Sequence, residues 1–280
     1  LTYGLKGFAG YLHHAAELGR EDPNLNAFLS QALVATVEPE IDKSTLIDLV
    51  LETGGKGVAA MALLDSAHTY RYGHPELTQV RIDAGKRPGI LVSGHDLSDL
   101  EALLEQSKDE GIDIYTHSEM LPAHSYPELK KYPHLYGNYG NAWWKQHKEF
   151  TRFHGPILFT TNCIVPPPPN SNYAKKVFTT GATGFPGYQH IEPDADGKKD
   201  FSAVIKLAKT CQSPEAIEDG TITTGFAHNQ AADLMESILA AINQGAVQGF
   251  VVMAGCDGRQ AQRSYYTDYA KQISQRMVIL

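Results

Sequence analysis

Residues 89–95 read Gly-Ile-Leu-Val-Ser-Gly-His. A short, unbroken apolar run closed by glycine suits a strand buried on both faces, where neither side can be given to polar residues. Asp96 follows directly and is placed to cap a helix expected over 97–106. Comparable strand-like runs occur at 112–116, 156–161, 177–180, 221–224, 247–254 and 277–280, with helical patterns at 201–209, 230–242 and 263–273. Strands alternating with helices predict an α/β fold on a mostly parallel, Rossmann-like sheet.

Before this stretch the period is helical. Leu5, Phe8, Ala9, Leu12, Ala15 and Ala16 recur at helical spacing, Asp22-Pro23 opens a second segment, and two more are expected over 42–51 and 58–68. Tyr72-Gly73-His74-Pro75 then breaks the pattern. The expected organisation is a helical segment over 1–75, an α/β domain over 76–228, and the beginning of a second α/β domain over 229–280. Both ends read as cut from something longer: the chain starts inside a helical pattern and stops at Met277-Val278-Ile279-Leu280, a strand with no following loop. The run Pro166-Pro167-Pro168-Pro169 can join neither a central strand nor a helix interior and is expected as an extended loop.

At 42% hydrophobic and 20% charged residues the composition is that of a soluble globular protein. A net charge of −8 disfavours nucleic acid, which needs a basic face. No apolar run is long enough for a membrane helix, and the first residues carry no signal-peptide pattern. Cys163, Cys211 and Cys256 are few and far apart, which argues against a disulfide framework and for a reducing cytoplasm.

Four side chains with metal-ligand chemistry stand just after strand-like runs: His95, Glu119, Cys163 and Cys256. The carboxyl ends of parallel strands line one edge of an open sheet, where ligands bind. Each residue alone has a plainer reading: a loop histidine, a carboxylate on a helix dipole, two small buried thiols. Together they are flanked by small or turn-forming residues, Gly94, Ser118, Asn162, Gly255 and Gly258, that let backbone approach a cofactor. The donor set suits iron or zinc; zinc takes four such ligands in a closed site, whereas iron-sulfur clusters ordinarily draw on more cysteines. His117 and His124 are candidates for supporting hydrogen bonds and proton transfer around the site.

Eight segments carry a resemblance: YGLKG (3–7), YGHPE (72–76), ILVSGHDL (90–97), YTHSEMLPAH (115–124), GNYGNAWWKQ (137–146), TTNC (160–163), TTGFAHN (223–229) and VVMAGCDGR (251–259). In this order the chain resembles the hybrid-cluster proteins, also called prismane proteins or hydroxylamine reductases, and within them the enterobacterial type. The resemblance implies a hybrid iron-sulfur-oxygen cluster ligated by His95, Glu119 and Cys163, with Cys256 carrying a persulfide sulfur and Asn162 close by. It implies further ligands, and a second iron-sulfur cluster, from sequence outside this chain. The implied activity is reduction of hydroxylamine, with nitric oxide reduction and S-nitrosylation as linked roles, and an NADH-dependent iron-sulfur flavoprotein as electron donor. Two other readings stand beside it: a carbon monoxide dehydrogenase relative, and a metal-binding or nitrosylation-responsive module without turnover in which Cys256 is the reactive thiol.

Overall fold

A computed structural model of the chain describes residues 1–161, 163–260 and 262–280. The described residues form two compact units, Leu1–Gly225 and Phe226–Leu280.

The first unit opens with helices α1 (Thr2–Glu17), α2 (Pro23–Ala35) and α3 (Lys43–Tyr72). Leu5, Phe8 and Leu12 of α1 pack with Leu25, Phe28 and Ala32 of α2 and Ala60 of α3 into one small core. Asp22 caps α2 through the Asn24 amide, and Asp42 caps α3 through the amides of Ser44 and Thr45. The two segments expected over 42–51 and 58–68 are one continuous helix of 30 residues. Gly54, Gly55 and Gly57 lie inside it, each costing about 1 kcal/mol against alanine. Burial of Thr53, Ala60 and Ala67 on either side of them holds the helix together. Gly73, at φ +84°, ends it where the sequence predicts a break.

The sheet follows. Its strands are β1 (Thr78–Arg81), β2 (Gly89–Ser93), β3 (Asp113–His117), β4 (Leu135–Asn138), β5 (Ile157–Phe159), β6 (Val177–Thr180), β7 (Gln189–Ile191) and β8 (Thr221–Thr224). They lie in the order β7-β6-β5-β2-β3-β4-β1-β8, all parallel except β8, which runs antiparallel to β1 at the edge. Helix α4 (Leu97–Gln106) begins at Asp96, whose side chain accepts from the amides of Ser98 and Asp99. Short helices α5 (Pro127–Lys130) and α6 (Gln146–Glu149) and then α7 (Ser202–Ala208) complete the unit. Pro166–Pro169 lies outside helix and strand, as expected.

Alternation along the strands sends residues to two different cores. Ile90, Val92, Ile114 and Leu158 join Leu100, Leu103 and Leu104 of α4 and Val204 and Ala208 of α7. Leu91, Tyr115, Ile157 and Phe159 face the other way, into Tyr139, Phe150, Phe153 and Tyr173. One face is aliphatic and helical, the other aromatic and largely irregular. With both faces covered, β2, β3 and β5 have no exposed residue.

The second unit contains α8 (His228–Asp233), α9 (Met235–Asn243), β9 (Gly249–Val251), α10 (Tyr265–Gln272) and β10 (Met277–Ile279), with β9 and β10 parallel. The helix expected over 230–242 is divided at Leu234, and the strand expected over 247–254 is shorter than its apolar run. No helix among the described residues is long and apolar enough to cross a membrane.

Candidate metal centre

Strands β5, β2 and β3 are neighbours at the middle of the sheet. Their registers pair Ser93 with His117 on one side and with Phe159 on the other, so the three strands end level. His95, Glu119 and Cys163 follow these ends. One ligand atom from each lies within 4.8 Å of the others, the one such metal-competent group among the described residues.

Left-handed backbone makes this convergence possible. Gly94 precedes His95 at φ +128°, Ser118 precedes Glu119 at φ +52°, and Cys163 itself sits at φ +67°. Gly94 cannot be replaced freely: a Cβ there would collide with Thr160 Oγ1 and lie 2.8 Å from Thr161 Oγ1 and 2.9 Å from its amide nitrogen. A non-glycine residue in the left-handed region costs of order 1–3 kcal/mol and persists only where its surroundings enforce it. Asp109 and His154 adopt the same backbone ahead of β3 and β5, so what sets the carboxyl edge apart is the meeting of donor side chains there.

His95 is held at both ring nitrogens. Thr161 Oγ1 lies 3.0 Å from Nδ1 and also accepts from the His95 amide, while Nε2 is 2.7 Å from Glu119 Oε2. Glu119 lies in the short 3-10 turn after β3 and is the most exposed of the three. Burial, reinforced by the Glu119 charge, pushes the Cys163 thiol up to about 11. A cation shared by the three groups reverses that preference, because coordination deprotonates a thiol outright. Imidazole, carboxylate and thiol so arranged fit a metal or iron-sulfur centre.

Beneath the trio the strand ends are buried and polar. His117 is fully buried, with Nδ1 3.1 Å from Ser93 Oγ and Nε2 aimed at Glu149 Oε2 across 3.7 Å without a hydrogen bond. His124 Nε2 is 2.8 Å from Thr116 Oγ1, which also accepts from Asn138 Nδ2. Burial lowers the His124 pKa to about 4. It is neutral near pH 7, and its contact is with the buried Thr116 hydroxyl. Neither histidine belongs to the donor trio.

Cys256 belongs to the second unit, exposed after β9. There Asp257 accepts from the amides of Tyr266 and Thr267, and the turn lines a cavity of about 500 Å³ with Arg263 and Tyr266. Asn162 lies outside the described residues. Sequence reading missed Thr161 and Gln146. Thr161 lies within the segment TTNC (160–163), and Gln146 ends the segment GNYGNAWWKQ. Neither residue type announces itself without the fold.

A family model described as "Prismane/CO dehydrogenase family" matches residues 1–280. The chain belongs to this family. A "Hydroxylamine reductase" of Porphyromonas gingivalis is 57% identical over 99% of the chain and 50% of its own length. Proteins of the same name from Acetivibrio thermocellus and Desulfovibrio desulfuricans are 56% and 55% identical over all of the chain and 52% and 51% of theirs. The chain thus spans about half the length of these Prismane-family relatives.

Proposed function

We propose that this chain supplies His95, Glu119 and Cys163 to a hybrid iron-sulfur-oxygen cluster, and that the protein reduces hydroxylamine to ammonia and water. The observation that carries the reading is the meeting of three donors within 4.8 Å at adjacent strand ends. Identity of 55–57% to proteins named hydroxylamine reductase supports it. The reaction breaks the N–O bond with an electron pair, and a proton goes to each fragment. When bound, the cluster would supply the electrons and an iron able to act as Lewis acid.

The residues of the chain hold and orient. Thr161 at Nδ1 directs His95 Nε2 toward the ligand group. Glu119 is the most solvent-facing of the three donors. Ser93 fixes the ring of His117 beneath it. In the same reading Asn162 lies beside the cluster, Cys256 carries a persulfide sulfur, and a second iron-sulfur cluster is bound outside this chain. An NADH-dependent iron-sulfur flavoprotein is the electron donor, and nitric oxide reduction and S-nitrosylation are linked roles. In the same reading the protein works in the cytoplasm.

The test is hydroxylamine-dependent oxidation of reduced methyl viologen by the full-length protein, with iron and sulfide analysis and electron paramagnetic resonance. Cys163→Ser is expected to lose the cluster signal and turnover together; undiminished turnover would sink the proposal. Because the family description also covers carbon monoxide dehydrogenases, carbon monoxide oxidation is assayed in parallel. Its presence without hydroxylamine turnover replaces this reading with the other.

A further inference from the structure

Cys163 occupies a left-handed backbone conformation in a segment without regular secondary structure. Such a conformation needs something to enforce it. Gln146, at the first position of α6, is 1% exposed, an unusual place for an amide side chain. Its Nε2 donates to the Cys163 carbonyl at 2.6 Å, and its Oε1 accepts from the Val165 amide at 3.3 Å. One planar amide therefore grips the backbone on both sides of Ile164, directly at the residue whose thiol faces His95 and Glu119. A second contact runs parallel to it: His147, the next residue, lies with Nε2 3.1 Å from the Pro166 carbonyl.

We propose that Gln146 is a positioning residue for the metal centre, holding the Cys163 loop in the conformation that presents the thiol to the ligand group. It acts through backbone geometry alone and never touches the bound group. The inference rests on the proposed function only in taking the Cys163 thiol as a ligand.

Gln146→Leu keeps the bulk and removes both hydrogen bonds; Gln146→Glu keeps an acceptor for the Val165 amide and removes the donor to Cys163. Two readouts are taken on the protein. Site-resolved alkylation by iodoacetamide, mapped by peptide mass spectrometry, reports Cys163 against Cys211 as an internal control. Cobalt(II) titration reports thiolate coordination through its charge-transfer band.

In Gln146→Leu, Cys163 alkylation is expected to change by about tenfold with Cys211 unchanged, and cobalt affinity to fall by about tenfold, the usual scale for a residue supporting a ligand. Gln146→Glu, which sets an acceptor against the Cys163 carbonyl, is expected to move both readouts in the same direction as the leucine variant, and it carries the test if the leucine variant does not fold. Wild-type alkylation and cobalt affinity in a folded variant overturn the proposal. If the wild type itself shows no thiolate–cobalt band, the metal-centre reading fails, and the alkylation arm still decides the role of Gln146.

Discussion

The two ends of the central strands treat polar residues in opposite ways. At the amino end Asp113, which opens β3, is buried and ion-paired with Arg87. His134, just before β4, has Nε2 3.0 Å from Ser107 Oγ. At the carboxyl end the ionisable groups are gathered rather than neutralised one by one. A carboxylate, an imidazole and a thiol meet, and the buried His117 Nε2 has no hydrogen-bond partner. Left-handed backbone occurs at both ends, at Asp109 and His154 on the amino side and at Ser118 and Cys163 on the carboxyl side; what differs at the glycines is the packing around them. Gly111, at φ +72°, is left-handed in open space near the amino edge, whereas Gly94 is left-handed against packed threonines. The amino end pairs its polar groups one by one, and the carboxyl end departs from that at the candidate metal centre.

The largest expected effect breaks the comparison outright. Cys163→Ser, or His95→Ala, should weaken cobalt or iron binding by more than the roughly 100-fold upper range for loss of a supporting residue, since a ligand itself is removed. Urea unfolding of the metal-free variants should stay close to wild type, because neither side chain belongs to a hydrophobic cluster. Equal metal affinity in variant and wild type would end the reading of this edge as a metal centre.

The glycine pair tests the strain difference. Gly94→Ala meets both an adverse φ and a collision, and is expected to cost about 3 kcal/mol or more. Gly111→Ala meets only the adverse φ, with nothing within 4 Å of the new Cβ, and should cost about 1 kcal/mol. Both are read by urea denaturation at neutral pH. Equal costs would show that the backbone at the carboxyl edge is no more constrained than a surface turn.

His124 gives the pH arm. Its folded pKa is about 4, against 6.5 for the unperturbed side chain, with burial as the main cause. Between these values the unfolded chain takes up a proton that the folded chain refuses. Its contribution is therefore fully present above about pH 6.5 and is lost as pH falls toward 4, by about 3 kcal/mol in total. Unfolding free energies measured from pH 7 to pH 4.5 should show this slope, and His124→Gln should flatten it. An unchanged slope in the variant would place the titrating group elsewhere.

What could be read from sequence follows the same line. The runs that became β2 and β5 were legible because burial on both faces forces continuous apolar residues, and β3, β6 and β8 because β-branched and aromatic residues are concentrated in them. Strands β1, β4 and β7 were not. Thr-Gln-Val-Arg and Gln-His-Ile are short and largely polar, and Leu-Tyr-Gly-Asn carries a glycine, Gly137, whose missing Cβ admits the Arg81 carbonyl. The long helix α3 was read as two segments because its three clustered glycines outvote their neighbours locally, while packing on α1 is invisible to propensity. In the site, His95, Glu119 and Cys163 were legible as donors after strands. Thr161 and Gln146 act through a hydroxyl and a backbone carbonyl reached across the fold, and no spacing encodes that.

The smallest effect sharpens the comparison from the quiet side. Ser107 is 1% exposed, and its hydroxyl, which donates to the Leu103 carbonyl at 2.6 Å, stands 3.0 Å from His134 Nε2. Ser107→Ala removes that hydroxyl and leaves the buried histidine nitrogen one partner short. The expected cost is about 1 kcal/mol, the usual net worth of one buried hydrogen bond. Cobalt affinity should not move, because Ser107 lies at the opposite end of the strands from the donor trio. A fall in cobalt affinity comparable to that of Gln146→Leu would mean that the two edges are mechanically coupled through β3. The division between a stabilising end and a ligand-holding end would then be one of chemistry alone.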